Sequence, residues 1–160
     1  MLITSTMPLD VELNLTNSPY IKTAGARMAK YEVDRNAFND GKSPDNDIVL
    51  FRYADVLLMK AEAAVRNGEN GNTELNLVRS RSGMGNRTAT LDNILAERLM
   101  ELMWEGWRRN DLIRFNRFHQ SYDLRTAPET EADRHTIVFP IPSRALDLNE
   151  KLKQNKGYKR

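Results

Sequence analysis

The nineteen residues from 97 to 115, ERLMELMWEGWRRNDLIRF, combine four acidic residues, four arginines and two tryptophans. Placed on a helix at roughly 100° per residue, most of the charged side chains fall within about one third of the circumference, and apolar side chains occupy much of the rest. Because an unpaired charge is costly to bury, a fold that contains this helix must pair these charges or expose them to water. The stretch therefore constrains every helix packed beside it.

This stretch belongs to a predicted third and longest helix, from Asp92 to about Phe115, with Thr90 as its N-cap. Acidic and basic residues recur within it three and four positions apart, the spacings at which side chains on a helix meet. We predict a structural ion-pair network, in which Arg108 and Arg114 reach carboxylates on neighbouring helices, such as Glu62 or Glu97. The predicted members are Arg52, Glu62, Glu97, Arg98, Glu101, Glu105, Arg108, Asp111 and Arg114.

The alternative interpretation of the same residues is a catalytic pair of carboxylates, for instance in a glycosidase with Glu97 or Glu101 as the acid. A general acid needs a raised pKa, whereas neighbouring arginines lower the pKa of a carboxyl group. Such catalysis also uses carboxyl groups that face each other across a cleft, usually from different elements. We therefore predict no catalytic residue and no enzymatic activity.

The two tryptophans, Trp104 and Trp107, are open to two interpretations. Flat aromatic rings can stack on sugars, but both residues lie on or near the apolar arc of the predicted helix. We predict that they pack in the core, together with Met59, Met100 and Met103.

Residues 43–69 carry the signals of a helix, with capping residues in SPDND and Gly68 at the end. A shorter second helix is predicted in 72–83, with Leu75 and Val78 facing inward and Leu77 as a third candidate for the inward face. The predicted apolar face of the first helix consists of Val49, Tyr53, Val56, Leu57 and Ala64. Two antiparallel helices joined around NGENG would form a hairpin resembling one tetratricopeptide-type unit, which needs neighbours to bury its face.

The remaining segments carry weaker signals. Residues 1–46 predict a loop-rich segment that could contain short strands, and residues 47–160 predict the helical region. Residues 116–136 predict a surface loop, in which Tyr122 and the nearby His119 are weak candidates for ligand contact. The chain ends with an extended FPIP segment and a short helix capped by Ser143. The predicted fold class is mainly α: a helical hairpin, a long third helix and extended or loop-rich segments at both ends.

Composition argues against several classes of function. The chain has no cysteine and only two histidines, so we predict no metal site and no cofactor. The RSRSGMGNR segment lacks the lysine and the spacing of a phosphate-binding loop, and predicts a turn. The formal net charge is +2 and the basic residues are scattered, which argues against nucleic-acid binding. The N-terminal residues contain no apolar run typical of a signal peptide or a membrane span.

Five segments, in this order, carry a resemblance to a known family. They are DIVLFRYADVLLMKAEA (47–63), LNLVRSRSG (75–83), LAERLMELMWEGWRRNDLIRF (95–115), FPIP (139–142) and QNKGY (154–158). Together they resemble the C-terminal region of the SusD/RagB nutrient-binding outer-membrane lipoproteins. The resemblance covers roughly residues 27–158.

The resemblance implies a fold and a function. Members of this family are non-catalytic surface lipoproteins of Bacteroidetes-type bacteria with tetratricopeptide-like helix pairs, of which 48–66 and 74–82 would be the last. They capture oligosaccharides, or in some members peptides, for a SusC-like TonB-dependent transporter. We expect this chain to be part of such a protein, attached to the outer membrane only through a lipid anchor that the chain itself lacks. No residue here lies in a matched ligand motif, and we expect loop 116–136 to lie near the ligand or the transporter.

A different class of function stays open from the residues alone. A soluble tetratricopeptide-like module would bind a partner helix in an exposed apolar groove. The FPIP and QNKGY segments do not support that alternative.

Overall fold

A computed structural model describes residues 30, 31, 34, 46–121 and 134–159. Its five helices all lie within the unit Val49–Arg160, and the described residues contain no strand. The helices are α1 Tyr53–Arg66, α2 Asn72–Arg81, α3 Leu91–Glu101, α4 Arg108–Arg114 and α5 Ser143–Leu148, with a 3-10 turn at His135–Ile137. The predicted mainly α fold class is confirmed. The strands considered for residues 1–46 fall almost entirely outside the described residues.

Helix α1 ends where the sequence predicts but begins later and faces another way. Gly68 adopts φ +76°, a left-handed conformation at the end of the helix. Glycine adopts this conformation without the steric cost that a Cβ atom brings. At the other end, Arg52 is extended and supplies no side-chain cap, so the predicted start at residue 48 is wrong. The predicted apolar face is also wrong in part, because the side chains of Tyr53 and Val56 are exposed. The buried face of α1 is Ala54, Asp55, Leu58, Ala61 and Glu62.

The hydrophobic core forms where α1, α2 and α3 meet. Its buried members are Ala54, Leu58, Ala61, Leu75, Val78 and Ile94. The predicted inward positions of α2, Leu75 and Val78, are therefore confirmed, whereas Leu77 is 51% exposed. The close approach of α2 to α1 depends on Gly71, because a Cβ there would lie only 2.6 Å from the carbonyl oxygen of Ala61.

The predicted single helix from Asp92 to Phe115 is two helices. Thr90 caps α3 as predicted, accepting a hydrogen bond from the backbone N–H of Asn93 at 3.2 Å. Helix α3 then stops at Glu101, and the chain turns through Trp104 at φ +67° and Gly106 at φ +79° before α4 begins. These left-handed conformations cannot continue a right-handed helix.

Arg52 supplies a second physical reason for the break. Its Nη2 donates to the carbonyl oxygen of Glu101 at 2.7 Å, which satisfies one of the carbonyls that a helix end leaves unpaired. Its Nε and Nη1 bind the carboxylates of Glu105 and Glu101 on either side of the turn. One arginine therefore both closes α3 and holds the turn that follows.

The break exposes residues that the sequence predicts to be buried. Trp104 is 71% exposed, and Met59, Met100 and Met103 are also exposed, so their assignment to the core is wrong. Trp107 is half-buried, with its ring centroid 6.0 Å from that of Phe51. The prediction placed the two tryptophans on the apolar arc by assuming one continuous helix. Because that helix does not continue past Glu101, its periodicity does not apply to them.

Arg98 is buried, with 2% of its surface exposed, and joins three helices. It donates from Nη1 to Asp55 of α1 at 2.7 Å and from Nε to Asp111 of α4 at 2.9 Å. Asp111 also accepts a hydrogen bond from Arg114 at 2.7 Å, and Arg114 forms an ion pair with Glu62. We call Arg98, Asp55 and Asp111 the Arg98 cluster.

A second buried pair joins α2 to α3. Arg79 donates from Nη1 to Glu97 at 2.5 Å, and both side chains are buried. Its Nε donates to the carbonyl oxygen of Gly85, in the turn that follows α2. Each of the first four helices is therefore joined to another by a buried arginine–carboxylate contact.

The C-terminal segment is fastened by side chains that bind backbone carbonyls. Arg109 of α4 donates to the carbonyl oxygens of Thr136 and Ile137, both at 2.9 Å. The Tyr158 hydroxyl donates to the carbonyl of Val138, and Gln154 exchanges two hydrogen bonds with Ile141. The FPIP and QNKGY segments therefore bind each other. Helix α5 begins at Ser143 itself, with Pro142 in the N-cap position, so the predicted cap is wrong by one residue.

We predict that Arg98→Ala lowers the free energy of unfolding by about 3–5 kcal/mol, because it removes the guanidinium that pairs with the buried carboxylate of Asp55 and leaves Asp111 with Arg114 alone. Urea unfolding followed by circular dichroism would measure the change. Arg117→Ala is the matched control: its ion pair with Asp92 at 2.8 Å joins two exposed side chains and should contribute at most about 1 kcal/mol. Equal losses in the two variants would contradict the structural role of the Arg98 cluster.

We predict that Gly71→Ala lowers the free energy of unfolding by about 1–3 kcal/mol, because the added Cβ would push α2 away from Ala61. Gly85→Ala is the control, since a Cβ there meets no atom within 4 Å. That variant should be neutral or slightly stabilising, because alanine restricts the unfolded chain. Thermal melts of both variants test the close contact between α1 and α2. A Gly71→Ala variant with the melting temperature of the parent would disprove that contact.

Candidate functional site

The sequence proposes two residues for ligand contact, and the structure describes one of them. Tyr122 lies outside the described residues. His119 is half-buried, with its Nε2 3.2 Å from the hydroxyl of Thr136, while its Nδ1 accepts a hydrogen bond from Arg134 at 3.2 Å. The ring of Phe118 meets the imidazole edge-on at a centroid distance of 5.2 Å. His119 thus joins the start of loop 116–136 to its end.

The carboxylates considered as catalytic acids all bind arginine. Glu97 accepts from the buried Arg79, and Glu101 accepts from both Arg52 and Arg81 at 2.6 Å. Glu105 accepts from the Nε of Arg52 at 2.9 Å. That hydrogen bond is the largest of the effects that raise the pKa of Arg52 above its ordinary value, so the guanidinium remains charged beside them. Each of these carboxylates is therefore occupied by a guanidinium donor, the arrangement of a structural ion pair.

Arg108 does not bind the carboxylates suggested for it. It donates from Nη1 to the carbonyl oxygen of Leu95 at 3.2 Å, and the contact with Glu62 is made by Arg114 instead. Among the predicted members, the structure brings together three groups. Arg52 meets Glu101 and Glu105, Arg98 meets Asp111, and Arg114 meets Glu62 and Asp111.

Sequence reasoning missed several residues that take part in these contacts: Asp55, Arg66, Arg79 and Arg81. Asp55 had a recognisable signal, as a lone acid inside the largely apolar run YADVLLM. Arg79 and Arg81 lie where the predicted second helix, 72–83, overlaps the segment interpreted as a turn, and the structure places both in α2.

A groove lies between α1 and α2, with a volume of about 400 Å³. Its floor includes the buried Ala54 and Val78, which also belong to the hydrophobic core. Its walls include Tyr53 and Leu77, whose side chains are exposed. We call it the α1–α2 groove; its lining residues are Arg52, Tyr53, Ala54, Leu57, Leu77, Val78 and Arg81.

The polar end of the α1–α2 groove consists of two arginines that share one carboxylate. The Nη2 of Arg81 lies 2.6 and 2.7 Å from the two carboxylate oxygens of Glu101, and the Nη1 of Arg52 reaches the same group. The Arg81 side chain is 63% exposed, and the described residues show no hydrogen bond from its Nε or Nη1. Tyr53, predicted to be buried, is 75% exposed at the same end. The groove therefore offers an aromatic ring and N–H donors beside an apolar floor.

Two other classes of feature are absent from the described ranges. Among residues 46–121 and 134–159, no three histidine or carboxylate side chains are grouped as a metal site would require. None of the helices in those ranges has the length and hydropathy to cross a membrane.

Comparison with known proteins identifies relatives of this chain. It is 31% identical to the starch-binding protein SusD of Bacteroides thetaiotaomicron over 150 residues, or 86% of this chain and 27% of SusD. It is 35% identical to the SusD-like protein P38 of Formosa agariphila over 130 residues, or 71% of this chain and 25% of P38. The chain thus spans about a quarter of the length of these relatives.

A solved structure agrees with this relationship. The surface glycan-binding protein A from Bacteroides thetaiotaomicron matches 71% of this chain and 26% of its own, with a TM-score of 0.63 and 32% identity. The SusD family model matches residues 13–158, nearly the whole sequence. The resemblance carried by the five segments is therefore confirmed, and the chain belongs to the SusD family.

Proposed function

We propose that this chain is part of a non-catalytic protein that captures oligosaccharides at the bacterial surface for uptake. The observation that carries the proposal is the similarity to two proteins whose names state what they bind, starch in one case and glycan in the other. The similarity includes both sequence and fold, since the matched structure shares 32% identity at a TM-score of 0.63.

The geometry of the carboxylates supports binding rather than catalysis. Glu97, Glu101 and Glu105 each accept hydrogen bonds from arginine, which suits structural ion pairs. A glycosidase uses two carboxyl groups that face each other across the scissile bond, whereas these carboxylates are already bound to arginine side chains of the fold. We therefore propose no catalytic role for these residues.

The proposed partners and location follow from the family. The captured ligand, an oligosaccharide or in some cases a peptide, would pass to a SusC-like TonB-dependent transporter in the outer membrane. The protein would face the outside of the cell, attached to the outer membrane by a lipid anchor. This chain would contribute the C-terminal helical region.

A second candidate function draws on the α1–α2 groove. Its exposed apolar walls would suit a tetratricopeptide-like module that binds a helix of a partner protein. The two candidates differ in cellular location, because such an adaptor would be a cytosolic protein.

We predict that the native protein lies on the cell surface. An antibody raised against this chain should detect a band larger than 18.4 kDa in the outer-membrane fraction, sensitive to protease added to intact cells. Beads that carry insoluble starch or other glycans should retain the band, whereas bare beads provide the control. A cytoplasmic band of 18.4 kDa that no glycan retains would favour the adaptor and contradict surface capture.

A further inference from the structure

We propose that the turn between α3 and α4 is an interface at which this chain packs against another part of the same polypeptide, with the ring of Trp104 buried at its centre. We call residues 102–107 the Trp104 turn. The inference rests on the proposed function, in which this chain is part of a longer protein. It goes further by naming the surface and the side chain that make the contact.

The backbone of Trp104 has a conformation that bulky residues seldom adopt. Its φ is +67°, in the left-handed region, where the Cβ of an L-residue crowds a neighbouring carbonyl oxygen. Glycine and asparagine adopt this region at a lower cost, and Gly106 does so two residues later, at φ +79°. The reversal between α3 and α4 therefore explains a left-handed residue at this position but not an aromatic one.

Contacts within this chain cover only a small part of the Trp104 side chain. Its surface is 71% exposed, so less than a third of it is covered. Strained backbone persists where the surrounding structure holds it in place, and it is concentrated at sites of function. A contact that lies outside this chain accounts for a tryptophan here, because it would bury the ring and offset the backbone cost.

The Trp104 turn is held in place by one arginine. The Nη2 of Arg52 donates to the carbonyl oxygen of Glu101 at 2.7 Å, on one side of Trp104. The Nε of Arg52 donates to the carboxylate of Glu105 at 2.9 Å, on the other side. A ring carried on a turn fixed in this way can enter an interface with little further loss of conformational entropy.

Other apolar side chains lie in the Trp104 turn or next to it. Trp107 is half-buried and lies against Phe51, which is 72% exposed, with the two ring centroids 6.0 Å apart. Met100, in the last turn of α3, is 52% exposed. Aromatic residues and methionine are enriched at the buried centres of protein interfaces. The side chains around Trp104 therefore have the composition of such a centre.

The chemistry of this surface favours a protein contact over a sugar. A sugar site combines an aromatic ring with polar groups that converge on the ligand and fix its orientation. The one charged side chain of the Trp104 turn, Glu105, is only 2% exposed. The neighbouring exposed side chains, Met100 and Met103, are apolar. The partner is therefore an apolar protein surface.

The length of the relatives indicates where that surface comes from. The match covers 27% of SusD and 25% of P38, so about three quarters of each relative lies outside it. A helical hairpin of this type also needs neighbouring elements to bury its face. A longer polypeptide supplies those elements at no cost in association entropy. The occupant of the Trp104 turn is thus a segment of the same polypeptide outside this chain.

Hydroxyl-radical footprinting followed by mass spectrometry measures the exposure of individual side chains. It would be applied to this chain and to the full-length protein, purified without glycan or transporter. We expect Trp104 to be oxidised readily in this chain and roughly fivefold more slowly in the full-length protein, because an interface centre is packed as tightly as a protein interior. Leu58, which is fully buried, should be protected in both proteins and provides the reference.

Variants test the same contact through stability. Trp104→Asn removes the ring and supplies a residue that tolerates the left-handed backbone, so in this chain the melting temperature should stay within about 2 °C of the parent. In the full-length protein the same change should lower the melting temperature by several degrees, because an interface centre is lost. Trp104→Phe is the matched control, since it keeps an aromatic ring, and should remain closer to the parent.

The outcomes separate this inference from the proposed function. Equal oxidation of Trp104 in the two proteins would overturn the inference, and protection in this chain alone would place the cover within the chain itself. Protection that appears only when a glycan or the transporter is added would also overturn it, as would an equal loss of stability by Trp104→Asn in both proteins. A native protein of only 18.4 kDa would instead contradict the proposed function.

Discussion

The buried guanidinium of Arg98, held between Asp55 and Asp111, is the contact on which the rest of the structure depends. A buried ion pair contributes little net stability when compared with apolar residues of the same size, but loss of one partner is costly. Its main consequence is therefore geometric. Only one rotation of α1 presents Asp55 to Arg98, and that rotation directs Tyr53 and Val56 outward. The pattern of exposed residues on α1 follows from a polar contact rather than from its apolar periodicity.

Arginine serves three distinct purposes in this small set of helices. Arg98 and Arg79 join helices in the interior, where each guanidinium meets carboxylates on another element. Arg52 ends α3 by binding its last carbonyl and spans the turn to Glu105. Arg109 binds two carbonyls of the C-terminal segment and lies 4.2 Å from the centroid of the Phe139 ring. A guanidinium can do all three because its donors are planar, numerous and permanently charged.

Much of the fold could be predicted because it depends on local chemistry. The N-cap at Thr90, the glycine stop at Gly68 and the inward positions of α2 each depend on a few neighbouring residues. The candidate site could not be predicted in the same way. The α1–α2 groove is lined by side chains of both helices, and Tyr53 lines it because α1 turns Asp55 inward. Neither fact can be obtained from the spacing of residues along one helix.

The sequence by itself determined the helical class, the family and the abundance of arginine–carboxylate pairing, because all three depend on residue types and their order. Only the tertiary structure decided which arginine meets which carboxylate. Arg98 binds the carboxylates of Asp55 and Asp111, whereas Arg108 binds a backbone carbonyl. It also decided that the third helix breaks after Glu101, so that Trp104 lies on the surface. The physical reason is the same in both cases: charge pairing acts through space between elements, whereas helical periodicity acts only along one of them.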